Sequence, residues 1–125
     1  MLRNAFLILG AVSVSAVLVA GALALPESGQ DPVPIYPENY KVLLENDRVR
    51  VLDFRLAKGA KEQAHAHPAH VVYVLTGFKI RFTLGNGETV LRETKDGQVL
   101  FSQPITHASE NIGPTDAHGI LVELK

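Results

Sequence analysis

Between Phe78 and Gly97 the chain is organised by alternation and by glycine-centred turns, and that pattern restricts the fold class sharply. Ile80, Phe82 and Leu84 fall on one side of an extended segment, and Lys79, Arg81 and Thr83 on the other. This is the period of two that a half-buried strand needs and a helix cannot use. Gly85-Asn86-Gly87 supplies a tight hairpin turn into a strand over Glu88 to Thr94. Lys95-Asp96-Gly97 turns the chain again into Gln98 to Phe101. Arg48 to Leu56 sets Leu52, Phe54 and Leu56 on one face against Asp53 and Arg55 on the other. Val71 to Leu75 is a β-branched, aromatic run with the length of a buried strand, and His118 to Leu124 places Ile120, Val122 and Leu124 together. Short strands at regular spacing with glycine turns predict an all-β barrel or sandwich. No internal repeat or low-complexity tract interrupts them.

The first forty residues follow other rules. Arg3 precedes an uncharged apolar run from Ala5 to Ala24 that ends in Ala22-Leu23-Ala24. A basic start, an apolar middle and a small-residue exit describe a secretory signal over residues 1–24, which places the protein in the periplasm or outside the cell. The run is also long enough to span a bilayer, so a retained membrane anchor is the alternative. Pro26, Pro32, Pro34 and Pro37 make residues 25–40 a proline-rich linker of extended backbone in which no helix is expected. Ile35, Tyr36 and Tyr40 would pin it to the domain edge. Residues 41–125 are then the folded domain, small for a self-sufficient core.

Composition narrows the function. The chain has no cysteine, which excludes disulfides, thiolate metal sites and cysteine nucleophiles. An exported domain of this kind must rest on its core, a bound metal or a partner subunit. Twelve Lys and Arg against thirteen Asp and Glu leave no basic footprint for nucleic acid.

The chemistry concentrates in histidine. His65-Ala66-His67 precedes the Val71 strand, and residues two apart on a strand share a face about 7 Å apart at the backbone, so both imidazoles can reach one ion. His107 begins another candidate strand after Pro104. Three neutral imidazoles on a rigid sheet form an open metal site with positions left for water or substrate. Gln63 shares strand parity with His65 and is a candidate substrate contact, as is the Tyr73 hydroxyl. The alternative for each is a surface glutamine and a core tyrosine. His70, beside Pro68, is either a further ligand or a polar strand cap. Asn111 reads as a turn-maker, His118 as a strand-end residue, and Glu110 should face away from the site. Arg81 and Arg92 read as a solvated or dimer-facing surface.

Gly59, five residues, His65-Ala66-His67 and then Gly77 resemble the first motif of the cupins, and Gly97, Pro104, His107 and Asn111 resemble the second. The resemblance covers Lys41 to Lys125 and is closest to small single-domain cupins of unassigned function. It implies a double-stranded β-helix, jelly-roll-like barrel, frequently a homodimer. It also implies a divalent transition metal (iron, manganese, nickel, copper or zinc) held by His65, His67 and His107. Two departures stand out. The family's glutamate ligand would fall at Val71 or Val72, or at His70 when counted back from Gly77, so no carboxylate is available. The second motif is short, with only Ile105 and Thr106 between Pro104 and His107. The expected centre therefore has three histidines, or four with His70. Its expected work is oxygenase-type chemistry on a small thiol or phenol, without a protein base. The alternatives are a non-catalytic module that captures a metal or small ligand, and a dimeric barrel whose metal site is vestigial.

Overall fold

The alternating segments assemble into two antiparallel sheets laid face to face, in a computed structural model that describes residues 29–125. The expected export or anchor segment over residues 1–24 lies outside the described residues; among those described, no helix is long and apolar enough to cross a membrane. The elements are α1 (Pro32–Ile35), β1 (Tyr40–Glu45), β2 (Val49–Leu56), β3 (Lys61–His67), β4 (His70–Thr76), β5 (Lys79–Leu84), β6 (Thr89–Glu93), β7 (Val99–Ser102), β8 (Ile105–Asn111) and β9 (Ala117–Leu124). One sheet has the order β1-β2-β9-β4-β7 and the other β3-β8-β5-β6. The chain passes back and forth between them, which is the double-stranded β-helix arrangement.

Local chemistry fixes the turns. Gly87 adopts φ +85°, a left-handed conformation open to glycine at no steric cost, and its N–H donates to the Leu84 carbonyl at 2.9 Å. Gly77, between β4 and β5, passes so close to the 94–96 turn that a Cβ there would lie 2.7 Å from the Thr94 carbonyl oxygen. Asn111 is buried; its amide donates to the carbonyls of Leu56 and Thr115, each at 2.9 Å, while its oxygen accepts from Gly113 N–H. One side chain thus ties the end of β8 to β2 and to the turn into β9.

The core lies between the sheets. Leu52, Phe54 and Leu56 from β2 meet Val74, Ile80 and Leu121 from β4, β5 and β9, with Phe78 and Tyr40 closing the cluster. Full burial of each such side chain contributes roughly 1.5–3 kcal/mol before entropy is counted.

Two readings of the sequence need correction. The prolines predict no helix over 26–40, yet Pro32–Ile35 forms one helical turn. Pro32 stands at its first position, where the missing N–H costs nothing, and the Asp31 carboxylate caps Val33 N–H at 3.1 Å. Tyr40 is part of the core rather than a peripheral pin, because its ring packs on Phe54 at 5.2 Å as it opens β1. In β9 the residues that turn inward are Ala117, Gly119, Leu121 and Glu123; the apolar set Ile120, Val122 and Leu124 faces out.

Candidate metal centre

Sheet register brings the histidines together. His65 and His67 project inward from β3, and His107 in β8 stands directly opposite His65 across the ladder. The ring centroids are 5.0 Å apart for His65–His67, 4.9 Å for His65–His107 and 5.4 Å for His67–His107. One nitrogen from each lies within 4.8 Å of the others. Three neutral imidazoles gathered in this way are a donor set suited to one divalent transition metal. His70 is not in this trio. It sits on β4 in the facing sheet with its ring 5.2 Å from that of His67, and its Nδ1 donates to the Pro68 carbonyl at 2.8 Å.

Hydrogen bonds select the tautomers. His65 Nδ1 faces the Gln63 carbonyl at 2.8 Å; a carbonyl only accepts, so Nδ1 carries the proton and Nε2 is left with its lone pair. His67 Nδ1 donates to Glu123 Oε1 at 3.1 Å, with the same result. The remaining oxygen of Glu123 accepts from Arg50 Nε at 2.7 Å, and the other two nitrogens of Arg50 donate to the Asp31 carboxylate at 2.8 and 2.9 Å. A chain of charge-assisted bonds therefore runs from Asp31 through Arg50 and Glu123 to His67. Burial alone would raise the Glu123 carboxyl, but the bonds from His67 and Arg50 outweigh it and hold the group below its ordinary value. His107 stacks on Phe82 with centroids 4.6 Å apart. Burial, with the neighbouring histidines, pushes its imidazole down to about 2, and burial likewise lowers His67. Both rings are neutral at physiological pH, as metal ligands must be.

A carboxylate does stand beside this cluster, contrary to the sequence reading. Glu62 is buried and accepts from the Tyr40 hydroxyl at 3.1 Å and from Asn39 Nδ2 at 3.0 Å; the same hydroxyl lies 3.4 Å from His65 Nε2. Burial raises the Glu62 carboxyl, and burial together with the charge of Glu62 drives Tyr40 well above the ordinary phenol value. The cause is a bulge. The β3–β8 register shifts between Glu62 and His65, so Glu62 turns inward with the histidines although its parity is opposite. The same bulge turns Gln63 out to solvent, away from the site. Tyr73, the other expected substrate contact, lies on the outer face of β4 and is 45% exposed.

Beside His67 and His107 is a cavity of about 60 Å³ lined by Tyr40, His70 and the apolar side chains of Phe54, Val72, Phe78, Phe82 and Leu121. His70 thus belongs to the cavity wall rather than to the ligand trio. Glu110 faces outward, near Arg81 at 3.7 Å and Lys61 at 3.9 Å, and His118 pairs with Asp53 at 3.0 Å on the outer face of the larger sheet. Sequence reasoning did not reach Glu62, Glu123, Arg50 or Tyr40. Only Glu123 left a trace, since it shares strand parity with Leu121.

No protein-family model and no curated protein sequence matches the chain. Similarity is found among solved structures. A cupin domain from Bordetella pertussis Tohama I superposes with a TM-score of 0.62 at 23% identity, over 69% of this chain and 91% of that one. A Klebsiella pneumoniae protein with a double-stranded β-helix domain gives 0.55 at 24% identity, over 68% and 74% of the two chains. The polyketide cyclase RemF from Streptomyces resistomycificus gives 0.51 at 21% identity, over 68% and 63%. At these identities the likeness establishes the fold.

Proposed function

We propose that this small cupin-fold domain binds one divalent transition metal through His65, His67 and His107 and presents it to a small ligand in the adjoining cavity. The observation that carries the reading is the convergence of three buried imidazoles, two of them with Nδ1 committed to an acceptor and Nε2 left with its lone pair. When bound, iron, manganese, nickel, copper or zinc would supply Lewis-acid or redox chemistry. The chain's own residues do the rest. Glu123, clamped by Arg50, fixes the ring of His67. Tyr40 and Glu62 offer a hydroxyl donor and a carboxylate acceptor next to His65. Phe78, Phe82 and Leu121 keep water from one wall.

Size limits the ligand. A closed cavity near 150 Å³ admits benzene, and this one holds about 60 Å³, which favours ligands of a few heavy atoms over the phenols implied by the family resemblance. Oxygenase-type turnover of a small thiol is the enzymatic form of the proposal. The same restricted space favours a second form, capture of a metal or small ligand without turnover. With a signal at residues 1–24, either would operate in the periplasm or outside the cell.

Oxygen consumption by the metal-loaded protein with a panel of small thiols and phenols separates the two. Turnover of thiols but not phenols supports the enzyme. If nothing turns over while a small ligand still raises the melting temperature, the enzymatic form is wrong and capture stands.

A further inference from the structure

We infer that residues 29–36 are a positioning strap of the metal centre: laid along the free edge of β3, they hold the groups that orient His65 and His67, so strap docking and metal binding strengthen each other. The inference rests on the metal reading given above. β3 is the outermost strand of its sheet, and its outward amides need cover. The strap covers them on both sides of His65. Ala66 N–H donates to the Gln30 carbonyl at 2.9 Å, and Gln63 N–H donates to the Tyr36 hydroxyl. Gln63 is also the residue whose carbonyl accepts from His65 Nδ1 at 2.8 Å, and the Tyr36 ring meets the His65 ring edge-on at 6.0 Å. Tyr36 therefore steadies both the ring of His65 and the acceptor that sets its proton.

The same strap reaches His67 through the facing sheet. Asp31 accepts from Arg50 at 2.8 and 2.9 Å, Arg50 donates to Glu123 at 2.7 Å, and Glu123 accepts from His67 Nδ1 at 3.1 Å. A segment that only covered a sheet edge would not need this second anchorage on β2. The fit is close: a Cβ on Gly29 would lie 2.5 Å from that of Ala66, Pro32 is buried, and Val33 and Tyr36 pack against the core. Yet the strap can leave without unfolding the barrel. Gln30, Asp31, Pro34 and Ile35 are exposed, and a segment with few buried apolar contacts opens locally at low cost. Pro32 and Pro34 fix φ in the released chain too, so redocking orders little backbone. If docking orients two imidazoles, linkage requires that a metal bound to them favour the docked strap by the same factor.

Zinc(II) added to the metal-free chain gives the test. In competition with a chelator of known affinity, the double variant Asp31→Asn, Tyr36→Phe should bind zinc about tenfold more weakly than wild type, with an unchanged far-ultraviolet circular dichroism spectrum. Glu45→Gln, which breaks an exposed pair with Lys125 away from the strap, should bind zinc as wild type does. Amide exchange followed by nuclear magnetic resonance supplies the reciprocal readout and needs no variant. Saturating zinc should slow the Gln63 and Ala66 amides of the wild type by a similar factor, because both are freed when the strap leaves, while Gly87 N–H in its remote turn changes little. Equal zinc affinity in wild type and a folded double variant, or bound zinc that leaves exchange at Gln63 and Ala66 unchanged, would overturn the strap and leave the metal site standing. A wild type that binds no zinc or other divalent transition metal would overturn both.

Discussion

The two sheets carry opposite assignments on their inner and outer faces. The four-stranded sheet is polar outside and presents His65, His67 and His107 inside. The five-stranded sheet is apolar outside, contributes Leu52, Phe54, Leu56 and Leu121 to the core, and sends Glu123 and Arg50 across to hold His67. One sheet bears the reactive groups and the other stiffens them. The difference teaches that a metal centre in a small barrel is not a property of its three imidazoles alone. For His65 and His67 the proton on the ring is set by an acceptor, and for His67 that acceptor comes from the opposite sheet.

That division can be broken from the larger sheet first. Leu52→Ala removes a fully buried side chain from β2 and should cost about 2–5 kcal/mol, read from urea unfolding of the metal-free protein. A loss below 1 kcal/mol would deny the five-stranded sheet its role as the core. Glu123→Gln keeps the shape and removes the charge facing His67. Metal affinity should fall about 10–100-fold with the fold intact, measured by competition with a chelator of known affinity. Unchanged affinity would mean that the facing sheet does not tune the site.

Smaller changes sharpen the comparison. Tyr40→Phe preserves the packing on Phe54 and takes one donor from the buried Glu62, so it should destabilise by about 1–2 kcal/mol. An unaltered denaturation midpoint would place the Glu62 carboxylate in contact with water instead. Asp31→Asn touches the far end of the chain that reaches His67 through Arg50 and should cost less than about 1 kcal/mol near neutral pH. The bond from Arg50 lowers the Asp31 carboxyl below its ordinary 3.8. Its contribution is therefore complete above that value and is lost as pH falls below it. Melting curves of Asp31→Asn and wild type should accordingly differ at pH 6 and converge in strong acid; a gap that persists there would assign the effect to the helix cap on Val33.

Much of the fold was legible because alternation and turn chemistry are local. Ile80, Phe82 and Leu84 could be placed inside, and the turn at Gly87 located, from neighbours within a few residues. The His-x-His pair was legible for the same reason, since strand parity alone puts both rings on one face. The rest depended on long-range pairing. Glu62 was hidden by a bulge that reverses parity between it and His65. Glu123 was hidden because a charged residue at a strand end is ordinarily solvated, and only Arg50 and His67, both distant in sequence, make its burial tolerable. In β9 the apolar triplet Ile120, Val122 and Leu124 carried the stronger hydrophobic signal and yet faces outward. Periodicity identifies two faces; it does not say which one the other sheet covers.

The central claim is that three histidines hold a metal. Elemental mass spectrometry on the chain purified without added metal or chelating tags, beside a His65→Ala, His67→Ala double variant, tests it most directly. The account predicts close to one equivalent of a divalent transition metal in the wild type, either as isolated or after addition, and essentially none in the variant. A wild type that neither carries nor takes up metal, or a variant that retains it, would contradict the account.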